Sequence, residues 1–134
     1  MKPAVISVLL LAVFISASAE NMPAAETIKI SDKQQFQVQF TSELDPIVIN
    51  TMHAWMLHIE NGSGEPVIDA EIQVSGGMPE HDHGLPTSPR ATRNLGNGDY
   101  LTEGLKFHMG GRWQVTFSIQ QGAISDSVTF NLNL

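Results

Sequence analysis

Trp113-Gln114-Val115-Thr116-Phe117-Ser118-Ile119 alternates large apolar side chains with amides and hydroxyls, residue by residue. A backbone that sends successive side chains to opposite faces turns this pattern into one buried and one wet face, which a helix of 3.6 residues per turn cannot do. The same period of two recurs on both sides of this stretch. Phe36, Val38 and Phe40 are spaced by glutamines, and Ala70, Ile72 and Val74 by acidic and amide residues. Val128, Phe130, Leu132 and Leu134 close the chain in the same way. Between residues 52 and 59, His53, Trp55, Leu57 and Ile59 share one face, with Met52, Ala54, Met56 and His58 on the other. Weaker segments lie near residues 90–95 and 100–105, and residues 27–30 offer an edge strand. No stretch carries a convincing helical period.

About seven strands with turn signals every 8–12 residues predict an all-β fold, an immunoglobulin-like antiparallel β-sandwich. A small closed barrel is the alternative. Three of the connections are tight: Asn61-Gly62-Ser63-Gly64, Gly96-Asn97-Gly98-Asp99 and Gln121-Gly122. Their glycines and asparagines accept the positive φ that hairpins require. The turn reading also accounts for the glycosylation-like Asn61-Gly62-Ser63. The other three connections, at residues 43–51, 76–89 and 106–111, are longer. In a sandwich whose strands reverse direction each time, these three long loops must share one pole and the tight turns the other.

The chain has 134 residues, 42% apolar and 16% charged, which supports one ordinary domain. Residues 1–19 read as a secretory signal: Met1-Lys2, an apolar run over 4–15, then Ser16-Ala17-Ser18-Ala19. Cleavage before Glu20 is expected, followed by a lead-in over 20–26 and the domain over 27–134. The apolar run falls short of the roughly 20 residues that span a bilayer, and no second such run follows, so no membrane span is expected in the mature form. An uncleaved N-terminal anchor is the alternative. A periplasmic or secreted location follows from this reading. The chain has no cysteine, which removes disulfides, thiolate metal sites and cysteine nucleophiles. Its net charge of −7 argues against nucleic acid as a partner.

Histidine and methionine gather at the long-loop pole. Met52-His53 opens the second main strand, Gly77-Met78-Pro79-Glu80-His81-Asp82-His83-Gly84 fills the second long loop, and His108-Met109-Gly110-Gly111 fills the third. The candidate metal ligands are therefore His53, Met78, His81, His83, His108 and Met109. His81 and His83, two apart in extended backbone, project to one side. Imidazole beside thioether in a thiol-free chain favours a copper ion, since methionine sulfur selects Cu(I) and imidazole accepts either oxidation state. Zinc would take the histidines with Glu80 or Asp82 but not readily the methionines. No strand–turn–helix G-x-S-x-G elbow, no obvious carboxylate pair and no Gly-rich phosphate loop is present, so enzymatic activity is not expected. His58, mid-strand and away from the pole, is not a candidate.

Together with Pro86-Thr87-Ser88-Pro89, Gly98-Asp99-Tyr100 and Phe107-His108-Met109-Gly110-Gly111-Arg112-Trp113, these motifs resemble the YtkA-like/FixH-like family of extracytoplasmic β-sandwich domains. The resemblance spans about half of the chain and implies an immunoglobulin-like fold with a loose association to copper handling and oxidase assembly. It falls most directly on Met78, His81, His83 and Met109. The function expected is a copper carrier, buffer or assembly accessory, with a copper-donor or copper-acceptor protein as partner. The competing expectation is a non-metal interaction module that docks through an exposed apolar patch of Met78, Pro79, Leu85 and Pro86.

Overall fold

A computed structural model of the chain describes residues 26–134. The expected signal sequence and all but the last residue of the expected lead-in lie outside the described residues. Among the described residues there are nine strands: β1 (Ile28–Ile30), β2 (Phe36–Ser42), β3 (His53–Asn61), β4 (Glu71–Met78), β5 (His83–Gly84), β6 (Arg90–Gly96), β7 (Asp99–Leu105), β8 (Arg112–Gln121) and β9 (Ile124–Asn133). Among the described residues, no helix is long and apolar enough to cross a membrane.

The strands form two antiparallel sheets, ordered β1-β2-β3-β7-β6 and β5-β4-β8-β9. Without the short strands β1 and β5, this is the four-plus-three arrangement of an immunoglobulin constant-type sandwich. The expected sandwich is formed, and the alternative of a closed barrel is not. The alternation read from the sequence sets which residues meet. Trp55, Leu57 and Ile59 of β3 are buried, as are Trp113, Val115, Phe117 and Ile119 of β8 and Val128, Phe130 and Leu132 of β9. Phe40 stacks on Trp55 with ring centroids 4.0 Å apart, while Phe130 of the opposite sheet meets Phe40 edge-on at 4.9 Å. Each such side chain contributes about 1.5–3 kcal/mol by leaving water.

Polar side chains tie down the irregular parts. Asp126 is buried, and it accepts hydrogen bonds from the Ser31 hydroxyl and from the backbone N–H groups of Lys33, Gln35 and Ser127. Burial opposes its ionisation, but the Ser31 hydroxyl and these N–H donors outweigh it and hold the carboxyl below its ordinary value. The link fastens the β1–β2 turn to β9 in the other sheet. At the tight-turn pole, the Tyr100 hydroxyl donates to the Val67 carbonyl at 2.7 Å and accepts from the Ala70 N–H at 3.0 Å. That fixes the crossing from β3 to β4.

Parity works as expected at the opposite pole. The loop between β2 and β3 meets the loop between β7 and β8, where the Asn50 N–H donates to the Phe107 carbonyl at 2.8 Å. The β4–β6 connection reaches the same loop through His83, whose ring lies 5.9 Å from that of His108.

Candidate metal centre

The second long loop is a tight hairpin. After Met78 the chain turns through Pro79–Asp82, with the His81 N–H bonded to the Met78 carbonyl and Asp82 at a φ of 52°. It then runs back along β4 as β5, pairing Met78 with His83 and Gly77 with Gly84. Gly77 makes this possible. A Cβ there would stand 2.4 Å from the His83 carbonyl oxygen, so any side chain would push β5 away. The hairpin leaves His81 and His83 exposed, with ring centroids 6.0 Å apart.

His108 arrives from the third long loop. Its ring centroid lies 5.9 Å from that of His83 and 5.4 Å from Trp113, which it meets edge-to-face. Trp113 also donates its indole N–H to the Met109 carbonyl at 2.9 Å, so this one buried side chain pins the loop that carries the histidine. His108 is half-buried, and its Nδ1 is buried without a hydrogen-bond partner. Buried polar atoms are nearly always satisfied, so this orphan, on a ring that neighbours the exposed His83, marks unused binding capacity. Two imidazoles bound to one ion at about 2 Å have centroids roughly 5–6 Å apart, close to the two spacings here. Among the described residues, no group of three or more His, Cys, Asp or Glu side chains already converges on one point. Closing a coordination sphere therefore requires rotation of the exposed rings. Glu80 and Asp82 are exposed on the same hairpin, and Glu80 lies 3.5 Å from Arg112 at the start of β8.

Beside His83 a shallow groove of about 460 Å³ runs along the outer face of the four-stranded sheet, over Gly77, Gln114 and Thr116. A larger groove, about 510 Å³ between the end of β2 and β9, is lined by Phe40, Ile47, Leu132 and Leu134 and carries no histidine.

A sequence model described as YtkA-like matches residues 20–118. The chain belongs to the YtkA-like family. No curated protein and no solved structure matches it. The match takes in all three loops of the pole and the strands that hold them, β9 alone lying wholly beyond it.

In this YtkA-like domain the six sequence-read ligands divide. His81, His83 and His108 come together. His53 does not join them: it is 4% exposed, and both ring nitrogens are in use. The Trp55 indole donates to its Nε2 at 3.2 Å, which assigns the proton to Nδ1, and that N–H donates to the Thr51 carbonyl at 3.0 Å. A metal would have to displace one of these bonds inside the core. Met78 is also withdrawn, at 1% exposure, because β4 continues through it and its place on the strand faces inward. Met109 is half-buried and rests against the core.

The expected apolar patch fails for the same reason. Met78 is buried and Leu85 packs against the core, leaving Pro79 and Pro86 exposed. The exposed apolar side chains near this pole are Val48, Ile49 and Met52, the last 61% exposed. Their signal was the run Ile47-Val48-Ile49 in a loop with no strand to bury it. Sequence reading also missed Trp113 and Gly77 as positioning residues. Two adjacent glycines before a turn, where a strand must fold back closely, were the available clue.

The fifth histidine sits apart, on the outer face of the five-stranded sheet. His58 Nδ1 lies 2.7 Å from Asp99 Oδ1, directly across the β3–β7 ladder, and Nε2 lies 3.2 Å from Glu60 Oε1. The hydrogen bond to Asp99 raises its pKa above the ordinary histidine value; partial burial opposes the shift and Glu60 adds to it.

Proposed function

We propose that this YtkA-like protein is an extracytoplasmic metal carrier or buffer, with copper as its cargo, and that His81, His83 and His108 hold the ion at the long-loop pole. The observation that carries the reading is the position of the His83 ring, 6.0 Å from His81 on its own hairpin and 5.9 Å from His108, which lies on a distant segment that only the fold brings to it. Among divalent first-row ions a nitrogen and oxygen donor set binds copper most tightly. The exposure of two of the three rings suits an ion that is loaded and passed on to a copper-accepting partner, not one sealed in as a structural brace. The signal-like residues 1–19 support a location outside the cytoplasm, and the family match begins at residue 20, the expected first residue after cleavage.

Trp113 supplies the test. A bound cupric ion beside His108 would lie close to this indole and quench its fluorescence. Titration of the purified protein with Cu(II) should quench part of the tryptophan emission and saturate at one equivalent. The H81A/H83A variant should lose the response, and binding should weaken as pH falls through the imidazole range, because a protonated ring cannot ligate. Equal quenching of both proteins would remove the hairpin from the site. A second reading, a docking module without metal, is favoured by exposed Val48, Ile49 and Met52. It predicts that Cu(II) leaves the emission unchanged.

A further inference from the structure

The pole sorts its donors by softness. The rings at or near the surface are imidazoles, and the other donors on the same hairpin are the carboxylates Glu80 and Asp82. Two of the three thioethers at this pole are engaged in packing. Met78 is enclosed, and its methyl group occupies the space in front of Gly111, where an added Cβ would come within 2.7 Å of it. Met109 rests against the core, with its backbone carbonyl held by Trp113. Met52 is exposed but immediately precedes β3 of the other sheet, and the histidine that follows it is the buried, doubly bonded His53. Soft thioether sulfur is what makes a site prefer Cu(I), whereas imidazole and carboxylate suit a borderline divalent ion. A protein of net charge −7 with two carboxylates beside the rings also favours the higher ionic charge.

From this separation we infer that the pole is a site for oxidised copper, Cu(II), and discriminates against Cu(I). The inference rests on the reading of the pole as a copper site and narrows it. No electron transfer is involved. The partner that loads or unloads the protein exchanges Cu(II) as such, so the methionines contribute packing and not coordination. This reverses the role that the sequence alone gives to Met78 and Met109.

The experiment compares the two ions on the full chain and on two methionine variants, M78L and M52L/M109L. Each is first checked for native near-UV circular dichroism. Cu(II) affinity is read by competition with a Cu(II) chelator in air, and Cu(I) affinity by competition with bicinchoninate under anaerobic reducing conditions. Cu(II) should bind at least about tenfold more tightly than Cu(I), a difference of about 1.4 kcal/mol. Both methionine variants should keep their Cu(II) affinity within about twofold, far less than the 10- to 100-fold that changes around a metal typically cost. The electron paramagnetic resonance spectrum of the Cu(II)-loaded protein should show couplings from imidazole nitrogen and be the same in M52L/M109L. Cu(I) binding as tight as Cu(II) binding, or a tenfold loss in either methionine variant, overturns the inference and leaves the copper reading intact. Binding of neither ion overturns both.

Discussion

His53 and His108 each stand beside a tryptophan at the same end of the sandwich, with Phe107 between them, yet their nitrogens are used in opposite ways. Phe107 lies 5.8 Å from the His53 ring and 5.3 Å from Trp113, the indole that His108 meets edge-to-face. His53 is saturated: an indole N–H on one nitrogen, a backbone carbonyl on the other, almost no exposed surface. His108 keeps a buried nitrogen with no partner, and its ring lies 5.9 Å from that of exposed His83. A histidine among aromatic residues is thus not one kind of object. Saturation makes it part of the framework, and unmet bonding capacity makes it available to a ligand.

The comparison breaks most readily at His53. Replacing it by alanine leaves the Trp55 indole N–H and the Thr51 carbonyl without their partner and opens a cavity in the core. The expected loss is about 2–4 kcal/mol, read as a lower urea midpoint. Copper stoichiometry of the protein still folded should not change. His108→Ala should do the reverse. Its stability cost is below about 1 kcal/mol, since the orphan nitrogen goes with the ring. Its Cu(II) affinity should fall on the order of 10- to 100-fold, which is the expected scale for disturbing a metal's surroundings. If H53A abolishes copper binding while H108A leaves it untouched, the assignment is inverted.

That division is half legible in the sequence. The period-two stretches, the glycine turns and strand parity were enough to place His81, His83 and His108 at one end, because alternation and chain reversal are backbone properties written in local sequence. Met78 was misread because Met-Pro looks like loop. Yet the inward series Ile72, Val74, Gly76 runs straight on to Met78, and the structure follows the series. His53 likewise shares its face with Trp55 and Leu57, and that face won. The two-residue β5 has no pattern to read. It exists because Gly77 lets the chain return at close range, a tertiary condition that no period encodes.

Gly77 sharpens the same contrast with a smaller effect. G77A places a methyl group 2.4 Å from the His83 carbonyl, so β5 must move and carry His83 off its present spacing to His108. Overpacking of this kind should cost about 1–2 kcal/mol of stability. The Cu(II) affinity should fall about tenfold, the low end of what loss of support around a metal does. G84A is the control across the pair: its Cβ would meet nothing closer than the Gly76 carbonyl at 3.9 Å, so both properties should stay near those of the parent. Equal losses in the two variants would mean that hairpin geometry does not set the site.

His58 gives the smallest effect and the third case, saturated like His53 but only half-buried, with a carboxylate on each side. Its pKa is raised above 6.5 in the folded protein by the bond to Asp99, with burial opposing and Glu60 assisting. The sign follows from proton linkage. The folded state holds this proton more tightly than the unfolded chain, so the stabilisation is complete below the unfolded value and is lost as pH rises through the folded one. The side chain is 36% exposed, which limits the contribution to the few tenths of a kcal/mol, at most about 1, typical of solvent-screened pairs. In urea titrations from pH 6 upward the parent should therefore lose a little more stability than H58Q, with copper binding unaffected in the variant. Identical pH slopes would show that two carboxylates in contact with an imidazole are not enough to couple it to folding. Saturation would then distinguish framework from ligand only where burial accompanies it, as at His53.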